Sequence, residues 1–84
     1  MTQTPYAAKT TDTAQSPVVR LIVNGDARSF EGVGDVAGLV ANLGLDSRKV
    51  AVELNLAIVP RSAYATTPVA EGDRIEIVHF IGGG

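Results

Sequence analysis

One stretch of this chain has apolar residues that recur with a helical period, and its shortness constrains the fold more than anything else in the sequence. Val36, Leu39, Val40 and Leu43 fall at i, i+3, i+4 and i+7, on one helical face. Asp35 suits the N-cap, where its carboxylate accepts from a free N–H of the first turn, although Gly38 at the third helical position rules out a capping box. Gly44 suits the left-handed stop just past the end. A helix over Asp35 to Leu43 is too short to persist alone in water, and Gly38 weakens it by about 1 kcal/mol relative to alanine. It needs a sheet to lie on.

The flanking sequence supplies strands. Val18 to Val23 reads as a strand by length and β-branching, and the Asn24-Gly25 pair after it is a hairpin signal, because a type I′ turn needs positive φ at both central residues. A second strand is expected from about Ala27 to Glu31, with Val19, Leu21 and Val23 on one face facing Phe30, and Arg20 and Ile22 on the other. Leu45 to Lys49 reads as a polar loop. Val50 to Asn55 alternates so that Val50, Val52 and Leu54 point inward, Asn55 to Ala57 is expected to turn, and Ile58-Val59 forms a very short edge strand ended by Pro60. Arg61 to Thr67 is irregular apart from one helical turn near Arg61 to Tyr64, with Tyr64 packed. Glu71-Gly72-Asp73 turns the chain into a last strand, Arg74 to Phe80, with Ile75 and Ile77 toward the core.

Strands before and after a single helix predict an α+β fold, a mixed sheet of four to five strands with the helix packed on one face. The helix and later elements give the length that a crossover needs, so the first and last strands can lie parallel at the centre. The β-grasp fold has this form. Residues 18–81 are expected to make the domain, residues 1–17, rich in Thr and Ser, a disordered leader, and residues 82–84 a flexible glycine tail. An 84-residue chain has little room for an internal active-site cavity, which places function on the surface. It has no cysteine, hence no thiolate nucleophile or cysteine metal site, and its seven Lys and Arg are scattered from Lys9 to Arg74 under a net charge of −2, which gives no nucleic-acid footprint. No apolar run approaches the roughly 20 residues of a membrane span and no secretory signal is apparent, so a cytoplasmic location is expected.

The end of the chain carries the chemistry. A β-branched run, Glu76 to Ile81, passes directly into Gly82-Gly83-Gly84. An α-carboxyl group with a pKa of about 3.3 to 3.7 is ionised at neutral pH and resists nucleophiles until it is activated. Glycines without a Cβ let backbone enter a narrow channel, and three extended residues reach roughly 10 Å. Ordering each one costs on the order of 1 to 2 kcal/mol, so a folded face beside the tail has to supply most of any affinity. The competing reading is a frayed terminus.

The segments Val50-Ala51-Val52-Glu53-Leu54-Asn55, Ile58-Val59-Pro60-Arg61-Ser62 and Gly72-Asp73-Arg74-Ile75-Glu76-Ile77-Val78, in that order before a terminal Gly-Gly, resemble the ThiS family, the sulfur carrier proteins of thiamin biosynthesis. The resemblance runs from about Val18 to Gly84, and the long leader departs from the family pattern. It implies a ubiquitin-like β-grasp domain whose Gly84 carboxylate is adenylated by an E1-like enzyme using ATP and magnesium. A persulfide donor then converts it to a thiocarboxylate, which thiazole synthase uses as its sulfur source. The chain itself is then a carrier and protein substrate, not an enzyme, and binds no cofactor. The alternatives are the small subunit of molybdopterin synthase, against which the lack of proline after Pro68 weighs, and a ubiquitin-like interaction module whose tail is never activated.

Beside the tail, Val78 and Phe80 fall on the strand face opposite Ile75 and Ile77, which makes them, with Ile22 and Ile81, candidates for a docking patch. The other reading packs Phe80 at the core margin. Arg61 is either a partner contact or a donor that anchors its loop, the second being favoured. His79, the one histidine, has no carboxylate or nucleophile near it in sequence and reads as a polar strand-end residue. Glu53, Glu71, Asp73 and Glu76 match no metal-ligand spacing and read as solvated faces and turns.

Overall fold

The computed structural model describes residues 17–80. The expected leader, Pro17 excepted, and the segment from Ile81 to Gly84 therefore lie outside the described residues. Five strands alternate with one α-helix: β1 (Val18–Val23), β2 (Asp26–Glu31), α1 (Val36–Asn42), β3 (Val50–Leu54), β4 (Ala57–Val59) and β5 (Arg74–His79). They form one sheet in the order β2-β1-β5-β3-β4. β1 and β5 run parallel at the centre, with Ile22 beside Arg74 and Val23 beside Ile75, and every other pairing is antiparallel. This is the ubiquitin-like β-grasp arrangement.

Local chemistry sets the boundaries. Asn24 and Gly25 take φ of 50° and 86°, the pair of positive values that a type I′ turn demands between β1 and β2. Helix α1 has only seven residues. The Asp35 carboxylate caps its start by accepting from the Gly38 N–H at 2.7 Å. A Schellman closure ends it, with the Gly44 N–H donating to the Ala41 carbonyl at 2.9 Å and the Leu45 N–H to the Val40 carbonyl at 3.1 Å, around Gly44 at φ 74°.

The core lies between the helix and one sheet face. Val36 and Leu39 from α1, Leu21 from β1, Val52 from β3 and Ile75 from β5 are each at most 1% exposed, and each such burial contributes about 1.5 to 3 kcal/mol. Phe30 stands opposite Val19 and is buried, as the alternation requires.

Four stretches differ from their expected form. The polar loop Leu45 to Lys49 contains a 3-10 turn, Ser47–Lys49, because Asp46 caps it by accepting from the Arg48 N–H at 2.9 Å. The helical turn expected near Arg61 to Tyr64 extends over Arg61–Thr66. Between β3 and β4 the turn is confined to Asn55 and Leu56, at φ 50° and 74°, so Asn55 leaves the third strand and Ala57 joins the edge strand. Thr67 to Val69 is tied to the helix entry, with the Val36 N–H donating to the Thr67 carbonyl at 3.0 Å and the Val69 N–H to the Gly34 carbonyl at 3.1 Å. That tie buries Val33 and Val69, neither of which shows a periodic signal in the sequence.

Candidate functional site

The strand that leads into the glycines is held on both flanks within the sheet. β5 is paired on one flank with β1 and on the other with β3, where Leu54 to Val50 face Ile75 to His79 in continuous register. Both flanking hairpin turns add side-chain bonds to it. Asn24 accepts from the Ile77 N–H, and Asn55 accepts from the Arg74 N–H at 2.9 Å while its own N–H donates to the Arg74 carbonyl at 2.7 Å. The Phe80 N–H still donates to the Lys49 carbonyl at 2.8 Å. A fixed strand end is therefore the base from which Ile81, Gly82, Gly83 and Gly84 depart, and those residues themselves lie outside the described ones.

Beside that base, Val78 is 61% and Phe80 46% exposed, on the face turned away from the helix, and Phe80 is not among the side chains packed on the core. Ile22 is half-buried and sits level with Arg74, four residues before Val78 along β5, so it does not adjoin Val78 and Phe80. The apolar surface next to Val78 lies on its other flank: Ala51 stands opposite Val78 on β3, and Ile58 on β4 is 76% exposed. Leu56, at the tip of the β3–β4 turn, is also exposed. Ile58 escapes a sequence reading because a very short strand gives no alternation to orient it. Its pairing with Glu53 supplies the face.

Arg61 carries the anchoring bonds that its loop position suggested, its guanidinium donating to the Ser47 carbonyl at 3.0 Å and the Arg48 carbonyl at 3.2 Å. That holds the second 3-10 turn to the first. Tyr64 is buried with its hydroxyl 3.4 Å from the Val50 carbonyl. His79 is exposed at the strand end and borders a shallow cleft with Asn24, Arg28 and Ile77, a set without a carboxylate.

Two carboxylates, the half-buried Asp46 and the exposed Glu71, are held below their ordinary range. Hydrogen bonds from the Arg48 guanidinium, then from the Arg48 N–H, bring Asp46 to about 2. The Arg20 N–H and then its guanidinium lower Glu71. The Arg20–Glu71 pair braces the turn before β5, and the Asp46–Arg48 pair braces the Ser47–Lys49 turn, whose Lys49 carbonyl accepts from the Phe80 N–H at the end of β5. Among the described residues no three His, Cys, Asp or Glu side chains converge as a metal site would require.

Comparison with known proteins follows the same region. The model of the ThiS family matches residues 21–84. The chain is 37% identical over 65 residues to the sulfur carrier protein ThiS of Bacillus subtilis, covering 76% of this chain and 98% of that protein. It is 54% identical over 66 residues to a thiazole synthase of Paramagnetospirillum magneticum, covering 79% of this chain but spanning only 20% of that relative's length. The crystal structure of the thiamine biosynthesis protein ThiS from Geobacter metallireducens superposes with a TM-score of 0.68 at 35% identity, over 79% of this chain and 100% of that one.

Proposed function

The chain belongs to the ThiS family, and from that premise we propose that it is a sulfur carrier of thiamin biosynthesis that holds its sulfur as a thiocarboxylate on Gly84. The similarity that spans almost the whole of the Bacillus sulfur carrier carries this reading. The fold supports it: the glycines follow directly from a central strand fixed on both flanks, so recognition and chemistry are separated by a side-chain-free stem.

An ionised carboxylate has no leaving group. An E1-like partner supplies one by joining a Gly84 oxygen to the α-phosphorus of ATP, releasing pyrophosphate, with magnesium and the partner's own donors stabilising the phosphate charge. The terminal sulfur of a persulfide donor attacks the acyl carbon and AMP departs. Thiol reduction of the resulting disulfide leaves the thiocarboxylate. Thiazole synthase is the acceptor, supported by the relative in which a segment like this chain occurs within a thiazole synthase polypeptide. ATP and magnesium belong to the activating partner, and this chain contributes the terminal atoms and the surface that presents them.

The test is mass spectrometry after incubation with the activating enzyme, ATP, magnesium and a persulfide donor. Exchange of one oxygen for sulfur adds about 16 Da to the intact chain. A chain that docks yet gains no ATP-dependent mass is an interaction module, and the carrier reading falls.

A further inference from the structure

The open face of the sheet carries a groove of about 300 Å³ lined by Ala51, Val52, Glu53, Ile58, Glu76 and Val78. Strand register explains its composition. Glu53 stands opposite Glu76 on β5 and opposite Ile58 on β4, while Ala51 stands opposite Val78. Residues two apart on a strand share a face, so the surface is acidic at its centre, with Ile58 on one side and Val78 alongside.

Like charges directly opposite each other on antiparallel strands destabilise a sheet. Among the described residues no cation is paired with either glutamate and neither carboxylate accepts a hydrogen bond, the ion pairs present being Arg20 with Glu71 and Arg48 with Asp46. Arg74 lies two residues before Glu76 on the same face and forms no ion pair with it. Both glutamates are half-buried, so a partner that covered them without a cation would leave charge desolvated and unpaired. A second copy of this chain placed face to face would crowd two such pairs together. The complement is a long cationic side chain, whose stem lies on Ile58 and Val78 while its head sits between the carboxylates.

Resting on the carrier reading, we propose that this groove is the docking site for thiazole synthase, which inserts a lysine or arginine set among apolar neighbours between Glu53 and Glu76. Thiazole synthase is chosen because a relative carries a segment like this chain in the same polypeptide. Val78 lies two residues before Phe80, so docking here seizes the sheet roughly 7 Å from the root of the tail.

The experiment measures affinity of the full chain for purified thiazole synthase against salt, for the parent, E76Q and E53Q/E76Q. The double variant is expected to bind at least about tenfold more weakly, E76Q to fall between, and the parent's loss of affinity from about 0.05 to 0.5 M salt to flatten in the double variant. Its unfolding midpoint stays at or above the parent's, because the substitutions remove a repulsion. Equal affinity and equal salt dependence overturn the proposal, as does a loss confined to the activating enzyme. Sulfur transfer from the parent chain, measured alongside, reports separately on the carrier reading: normal transfer with unchanged binding of the double variant sinks the groove alone.

Discussion

Asn24 holds Ile77 through both polar atoms of its side chain: Oδ1 accepts from the Ile77 N–H at 2.7 Å and Nδ2 donates to the Ile77 carbonyl at 3.2 Å. The amide takes the place of one more peptide unit on β1, extending the parallel ladder along β5 after the main chain has turned away at φ 50°. Two requirements meet at this residue, a left-handed backbone and a paired side chain, and substitutions separate them. Asn24→Gly keeps the backbone and loses the bonds, at about 1 kcal/mol. Asn24→Ala also pays the left-handed penalty, about 1 to 2 kcal/mol more. Urea unfolding should rank the parent above Asn24→Gly and that above Asn24→Ala, with midpoint temperatures falling about 4 to 8 °C per kcal/mol in a domain of this size. Equal stability of the two variants would remove strain from the account.

How much of this could be read from sequence depends on how local its cause is. The Asn24-Gly25 turn, the Asp35 cap and the Gly44 stop are each fixed by neighbours a few residues away, and each appears where the residues place it. The parallel pairing of β1 with β5 followed from element order. The bonds from Asn24 to Ile77 and from Asn55 to Arg74 were invisible, because they join residues far apart whose polarity is explained by their turns alone. The exposed groove was invisible for a related reason: Glu53 and Glu76 look like ordinary surface charges until register sets them face to face.

Acid titration should reveal the loop braces. Asp46 is lowered from 3.8 to about 2 by the Arg48 guanidinium and N–H, and Glu71 is lowered by the Arg20 N–H and guanidinium. A folded pKa below the unfolded one means the unfolded chain takes up the proton first. The stabilisation is complete above the ordinary carboxylate value and disappears as pH falls, for Asp46 between about 3.8 and about 2. Both pairs lie at the surface, so the effect is small. Urea midpoints followed across that window should fall less steeply for a variant combining Asp46→Asn with Glu71→Gln. Parallel curves would show that these pairs do not couple to folding.

Phe80 separates docking from packing. The residue is 46% exposed and outside the core cluster, whereas its N–H donates to the Lys49 carbonyl. Phe80→Asp keeps the backbone bond, so its thermal midpoint should stay close to the parent's. Placing a carboxylate at a docking surface leaves a desolvated charge, and affinity for the activating enzyme should drop by about tenfold or more. A large loss of stability instead would assign the ring to the core margin.

The last residue tests the reach of the stem. Gly84 has no side chain to bury, so deleting it should leave the unfolding curve unchanged. It withdraws the terminal carboxylate by about 3.3 to 3.6 Å, and a misplacement of even 1 Å in a reacting group can cost about 100-fold. The shortened chain should therefore dock with near-parent affinity yet acquire almost no ATP-dependent sulfur. Gly84→Ala restores the length and adds only a Cβ, so it isolates the width of the partner's channel: recovery of mass gain would identify length as the requirement, and failure would show that the channel admits glycine alone. Full sulfur donation by the chain lacking Gly84 would remove that residue from the chemistry.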